Sequence, residues 1–241
     1  IRHHNAMGLI AQAFDEDDLE KLTGHIAIGH TRYSTTGSNS VRNSQPILSK
    51  SSEIELALAH NGNLVNAMEL RNELIEWGCA FTSSGDSEVI AHMMSNAPAS
   101  NWEDRIAYCM RRLRGAYSLT VLSDDCLFAI RDPLGVRPLS IGKIDNGWVV
   151  ASETCALDHI GATVLREVAP GEAVMINGDG ITTVYHRKLE QDTASCMFEH
   201  IYFARPDSVL DGSLVYNSRM AMGAELAKQH PVDADLVIGI P

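Results

Sequence analysis

Between Ala116 and His186 the sequence breaks into short, alternately apolar runs, and nothing else in the chain constrains the fold as much. Ala116–Ser123, Cys126–Arg131, Leu139–Gly142, Trp148–Ser152, Glu172–Ile176 and Ile181–His186 each have strand length and the two-residue period of a half-buried strand. Asp124-Asp125 and Asn146-Gly147 fall where hairpin turns belong, since Asn and Gly tolerate the positive φ that tight turns demand. The pattern predicts an antiparallel meander. Two earlier runs, His25–Gly29 and Glu55–His60, read as further strands.

Helical periodicity is confined to other blocks. Asn66–Gly78 offers an Asn cap, an apolar stripe at Ala67, Leu70, Leu74 and Trp77, and a terminating Gly. Trp102–Leu113 repeats the design with Trp102, Ile106, Cys109 or Met110, and Leu113 on one face and Gly115 beyond. Asp86–Asn96 is a shorter helix, and Ser213–Gln229 follows Pro206-Asp207 and Asp211-Gly212, which look like a boundary. Strands and helices in separate blocks argue an α+β layered fold.

Three segments carry chemistry. In Gly29-His30-Thr31-Arg32-Tyr33-Ser34-Thr35-Thr36-Gly37 a strand runs into a hydroxyl-rich loop holding one Arg, which suits bidentate capture of a carboxylate. From composition alone, a surface Arg beside a polar turn is the favoured reading. In His60-Asn61-Gly62-Asn63 an amide donor stands next to an unobstructed Gly N–H, the parts of an oxyanion hole, although Asn-Gly is also the commonest turn pair. In Ser83-Ser84-Gly85-Asp86-Ser87-Glu88 the Asp either caps the helix or holds an ammonium group. A carboxylate clamp, an oxyanion donor pair and an ammonium acceptor together recognise an α-amino acid whose side-chain carbonyl is to be attacked. Glutamine fits that description.

In order and spacing, Gly29–Thr35, His60-Asn61-Gly62 and Ser84–Glu88 resemble the class II glutamine amidotransferases, which are N-terminal-nucleophile hydrolases. Within that class, Tyr33–Gly37, Arg131-Asp132-Pro133-Leu134-Gly135-Val136-Arg137-Pro138-Leu139 and Ala151-Ser152-Glu153-Thr154-Cys155-Ala156-Leu157-Asp158 resemble the amidophosphoribosyltransferase family. So does Phe198-Glu199-His200-Ile201-Tyr202-Phe203-Ala204-Arg205-Pro206-Asp207-Ser208, which is similar to that family's interdomain segment. The resemblance covers nearly the whole chain.

It implies a four-layer α/β/β/α sandwich, with a glutaminase domain over residues 1–190. Residues 191–241 would then be the interdomain segment and the start of a phosphoribosyltransferase domain, whose first strand Ala234–Pro241 resembles. It also implies that Arg32, helped by Thr35, binds the glutamine α-carboxylate, that Asp86 holds the α-ammonium, and that the Asn61 side chain and Gly62 N–H stabilise the tetrahedral oxyanion. The family's nucleophile is a Cys at the mature N-terminus with its own amine as base. That residue is expected upstream of Ile1, so the 241 residues alone are expected to be inactive. Ammonia would pass to phosphoribosyl pyrophosphate, giving phosphoribosylamine, glutamate and pyrophosphate in purine synthesis, with Mg²⁺ in the transferase domain. Tyr216 matches a family Tyr that borders the ammonia passage. Some members ligate a [4Fe–4S] cluster through a Cys placed like Cys196, and others carry a Cys there without one. A homo-oligomer is expected. The rivals are a sister glutaminase feeding a sugar phosphate and a non-catalytic amino-acid-binding protein.

Composition removes other classes. Asp+Glu number 31 against 19 Lys+Arg, a net charge of -12 with no basic run, which argues against nucleic acid. Apolar stretches fall short of the roughly 20 residues a membrane span needs. The ten histidines show no ligand spacing, and His30 and His60 read as hydrogen-bonded residues behind the site. Five widely spaced cysteines suit a reducing compartment, by default the cytoplasm, and Cys79, Cys109, Cys126 and Cys155 read as small buried hydrophobes.

Overall fold

The computed structural model describes residues 1–33, 40–187 and 193–239. Six antiparallel strands form one sheet in the order β1 (Ile47–Lys50), β2 (Glu55–Leu64), β3 (Gly115–Ser123), β4 (Cys126–Arg131), β8 (Glu172–Asn177) and β9 (Gly180–His186). A three-stranded sheet has β5 (Ser140–Ile144) between β6 (Gly147–Ala151) and β7 (Thr163–Glu167). The period of two assigns the faces. Leu56 and Leu58 of β2, Tyr117, Leu119 and Val121 of β3, and Phe128 and Ile130 of β4 bury one side of the large sheet. They pack against α3 (Ala67–Glu76), α4 (Asp86–Ser95) and α5 (Trp102–Arg112). The intervening residues, Leu127 and Ala129 of β4 with Val174 and Ile176 of β8, meet Ile141, Trp148 and Val150 of the small sheet.

The outer face of the small sheet is covered by α6 (Thr154–His159). Leu157 lies so close that a Cβ on Gly142 would come within 3.1 Å of its methyls. Helices, large sheet, small sheet and α6 therefore stack as α/β/β/α, the layering the motif resemblance implies. Two short N-terminal helices, α1 (Ile10–Ala13) and α2 (Glu16–Lys21), precede the sheets. A π-helical turn at Glu199–Phe203, a hairpin of β10 (Val209–Leu210) and β11 (Ser213–Leu214), and α7 (Val215–Gln229) follow. Among the described residues no helix is long and apolar enough to cross a membrane.

Five expectations need correction. Residues 25–29 form no strand: Ile26 and Ile28 do pack on the inter-sheet core, but the segment joins no ladder among the described residues. Alternation encodes a buried face, whereas a strand also needs a neighbour. Asn66 takes the N-cap position of α3, but its side chain does not cap the helix; its amide donates to the Arg112 carbonyl and accepts from the Arg114 N–H, both at 3.0 Å, tying that helix start to the α5–β3 junction. Trp77 falls outside the buried stripe of Leu70 and Leu74 and is 47% exposed. Of the four cysteines expected inside, Cys109 is buried while Cys79, Cys126 and Cys155 are partly exposed. Asp124 does take the positive φ of a tight turn (46°), but neither Asn146 nor Gly147 does.

Candidate active site

Asn61 and Gly62 lie inside β2, in register with Ser118 and Tyr117 of β3. The turn reading of this Asn-Gly pair is thereby overruled by an eight-pair ladder running from Ala57 to Leu64. Gly is compulsory at 62: with φ at 153°, a Cβ there would stand 2.0 Å from the Ala116 carbonyl oxygen. Strand parity then sends neighbouring side chains to opposite faces. His60 points into the helix layer, where its Nδ1 lies 3.2 Å from Ser87 Oγ and 3.7 Å from Asp86 Oδ1. Asn61 points to the other side, towards the mouth between the sheets, where it meets Arg137 and Ser152.

The orientation of the Asn61 amide is decided by chemistry. Arg137 Nη2 is 2.8 Å from one amide atom, and a guanidinium has only donors, so that atom is Oδ1. The NH₂ group is left facing Ser152 Oγ at 3.4 Å, a long contact that a better acceptor displaces. The segment Arg131–Leu139 exists to hold Arg137. Asp132, fully buried, accepts backbone N–H groups from Leu134 and Gly135 on Oδ1 and from Val136 and Arg137 on Oδ2. Burial pushes the Asp132 carboxyl up against the pull of those backbone donors. Ser118 Oγ and Arg131 Nε both donate to the Arg137 carbonyl, at 3.0 and 2.8 Å.

Asp86 opens α4, but Gly85 occupies the cap position. Its Oδ2 instead accepts the Leu64 N–H at 2.9 Å, so the carboxylate grips the end of β2. The Ser83–Gly85 loop ahead of it is fixed from two sides. Arg71 donates to the Ser83 and Gly85 carbonyls, and Glu88 accepts the N–H and hydroxyl groups of Thr82 and Ser83. Asp86 thus contacts His60 and Leu64, the residues that bracket Asn61-Gly62. Five strand residues span about 13 Å at 3.3 Å each, a reach suited to one amino acid.

Arg32 is half-buried at the rim of a cavity of about 560 Å³ that is also lined by His3, Ile26, Ile28, His30 and Pro46. It lies close enough to His30 to help depress that residue's pKa. Burial first, then the His60 and Arg32 charges, push His30 down to about 4. His60 is likewise lowered by burial, which outweighs the opposing pull of Asp86. Both imidazoles are neutral at pH 7. Arg32, His30, His60 and Asp86 are therefore linked by successive electrostatic contacts. The Asn61 side chain leaves β2 on the face opposite His60, and neither Asn61 nor Asp86 lines the cavity.

The remaining candidates are placed less centrally. Thr35 lies outside the described residues. Tyr216 sits in the first turn of α7, half-exposed, its N–H on the Pro206 carbonyl at 2.9 Å. Cys196 precedes the π turn and accepts the Glu199 N–H on its carbonyl. Among the described residues no three His, Cys, Asp or Glu groups gather as a metal site. Sequence reasoning singled out no role for Arg137, Ser152 or Gln45. Gln45 brackets the His60 backbone through its amide, at 2.6 and 3.1 Å. Each of these contacts crosses at least 15 residues of sequence, so no local pattern announces it.

The chain is similar in sequence and fold to known proteins. The sequence model of the glutamine amidotransferase domain matches residues 30–159. The amidophosphoribosyltransferase of Archaeoglobus fulgidus is 45% identical over 245 residues, covering 100% of this chain and 53% of the relative. That of Synechococcus elongatus is 46% identical over 244 residues, covering 99% and 49%. The glutamine phosphoribosylpyrophosphate amidotransferase structure from B. subtilis, complexed with ADP and GMP, superposes with a TM-score of 0.87 at 42% identity. That match covers 95% of this chain and 49% of the other. The chain spans about half the length of the curated relatives it matches.

Proposed function

This chain belongs to the glutamine amidotransferase family, and on that premise we propose that it is the glutamine-hydrolysing part of an amidophosphoribosyltransferase. Glutamine is held by Arg32 at its carboxylate and Asp86 at its ammonium, with Thr35 assisting the clamp. The side-chain carbonyl is attacked, and the developing oxyanion is met by Asn61 Nδ2 and the Gly62 N–H. Ammonia then reacts with phosphoribosyl pyrophosphate in a further domain, past Tyr216, releasing pyrophosphate. None of the five cysteines is placed for the attack. Cys79, Cys109 and Cys126 pack in or on the helix-side core, Cys155 reaches Glu153 Oε2, and Cys196 precedes the π turn. The attacking thiol in this reading is a terminal cysteine outside the 241 residues. Five free cysteines also support a reducing compartment, the cytoplasm.

One observation carries the reading. The Asn61 oxygen is occupied by Arg137, so the amide presents its donor side at a strand position where the next residue can only be Gly. An oxyanion needs that pair of donors and no nearby acceptor charge. Relatives at 45% and 46% identity along the whole chain favour the phosphoribosyl acceptor over a sugar phosphate or a merely binding protein.

The test uses the full-length protein, assayed for glutamate and pyrophosphate. Wild type should form both from glutamine and phosphoribosyl pyrophosphate. Arg32→Ala should raise the glutamine KM by about tenfold or more, as loss of a charged ground-state contact does, and leave ammonia-driven pyrophosphate release near normal. Equal loss of both activities would refute the clamp, and glutamate formation without pyrophosphate release would refute the acceptor.

A further inference from the structure

Arg137 has two faces. Its Nη2 donates to Asn61 Oδ1 at 2.8 Å, and its Nη1 stands 2.6 Å from Glu199 Oε1. The guanidinium also lies 5.3 Å from the centroid of the Phe203 ring, within cation–π range. Glu199 and Phe203 are the two ends of the π turn, forty residues beyond the last position that the family's sequence model matches. The Glu199 side chain is only 5% exposed, so its carboxylate loses a charge partner in a largely desolvated site whenever Arg137 moves away.

We infer that Arg137 is the positioning residue of the Asn61 oxyanion donor, and that the Glu199–Phe203 turn governs glutamine hydrolysis by holding or releasing Arg137. The inference rests on the glutaminase reading above and adds the control of that site. An amide rotates about a soft terminal torsion, so nothing in β2 itself fixes which end of Asn61 faces the substrate. Arg137 removes the ambiguity, because it tolerates only the oxygen. Its own side chain is in turn steered by a charge and a ring from one turn. That turn is gripped from behind: Arg219 of α7 donates to the His200 and Ala204 carbonyls at 2.8 and 2.7 Å. A shift of α7 therefore draws on the π turn, and the π turn on Arg137. With Arg137 withdrawn, the Asn61 amide is free to turn its oxygen towards the anion it should stabilise.

The experiment is a double-mutant cycle in the full-length protein, reading glutaminase kcat and KM separately together with ammonia-driven pyrophosphate release. Arg137→Met should lower glutaminase kcat by about tenfold to a hundredfold, short of the loss from removing a donor outright. The glutamine KM should move less than about threefold, and ammonia-driven activity should persist, because only a transition-state contact is lost. Placed on Asn61→Ala, the same change should cost less than about twofold, since a residue acting through Asn61 has nothing left to position. Glu199→Gln should show a smaller kcat loss that also vanishes in the Asn61→Ala background. Should Arg137→Met not fold, Arg137→Lys and Glu199→Gln supply the cycle. The inference is overturned if the Arg137 and Asn61 losses multiply, if only KM changes, or if Arg137 variants keep full kcat while Asn61→Ala loses it. If Asn61→Ala itself hydrolyses glutamine normally, the oxyanion assignment falls and this inference with it.

Discussion

At the scale of single residues, the site is built by positions that allow one amino acid only. Gly62 is the sharpest case. A methyl group there meets the Ala116 carbonyl oxygen at 2.0 Å and His60 Nε2 at 2.8 Å, on a backbone held by eight ladder pairs. The nearer neighbour is backbone and cannot swing aside, so β2 and β3 must separate. Gly62→Ala should therefore cost about 3 kcal/mol or more, in the range reserved for backbone strain and overpacking, and urea unfolding would measure it. A loss below about 1 kcal/mol would show that the strand relaxes cheaply. The chemistry of Asn61-Gly62 was legible in the sequence, but its conformation was not. The turn preference of Asn-Gly is a local term of the backbone, and pairing with β3, more than fifty residues away, outweighs it. Arg137 was legible only as part of a motif, because its function consists of contacts with residues 76 and 62 positions away.

At the scale of elements, periodicity found what was long and amphipathic and missed what was short or lies at an edge. The strand runs and α3, α4, α5 and α7 follow the sequence pattern within a few residues, but the single meander does not: β4 pairs with β8, and β5 and β6 join β7 in a second sheet. β7 escaped because Val164 and Leu165 are both exposed, so no alternation marks it; six-residue α6 is too short to show a stripe. α4 is the instructive element. A helix beginning Asp-Ser-Glu looks solvated, yet Asp86, Ser87 and Glu88 are all buried. Glu88 explains how the structure accommodates this. Burial alone would raise its pKa, but hydrogen bonds from His92, Ser83 and Thr82 overcome that and hold the carboxyl far below the usual range. Its charge is therefore present and stabilising well into the acid region. Glu88→Ala leaves four donors of Thr82 and Ser83 without their acceptor, and should destabilise by about 2–4 kcal/mol by thermal or urea unfolding. Because the same loop delivers Asp86, glutamine KM should rise with it. Glu88→Gln, which keeps half the acceptor capacity, should fall between. An Ala variant as stable as wild type would show that the loop is held by Arg71 instead.

At the scale of the whole molecule, the family motifs interlock. The Ala151–Asp158 segment binds the Ala204–Ser208 segment: Glu153 Oε2 accepts the Arg205 N–H and Ser208 hydroxyl, and Thr154 Oγ1 accepts the Val209 N–H. With Arg137–Glu199, these contacts clasp the sandwich to the chain that follows it. His30 and His60 give the molecule a measurable acid sensitivity. His30 titrates at about 4 when folded and near 6.5 when unfolded, where burial and the His60 and Arg32 charges are absent. Between those values the unfolded chain binds the extra proton, so stability rises with pH across that window. The contribution is complete above pH 6.5, is lost as pH falls towards 4, and amounts to about 2 kcal/mol between pH 6.5 and 5. His60, lowered in the same direction, adds to the slope. Carboxylates such as Asp132 and Glu199, raised by burial, titrate with the opposite sign, so the wild-type curve alone does not isolate the imidazoles. The difference between wild type and His30→Gln does. Urea unfolding at pH 7 and pH 5 should show the variant losing about 2 kcal/mol less than wild type over that interval. Parallel losses in the two proteins would mean that His30 is solvated and that the Arg32–His30–His60–Asp86 group is not packed as described.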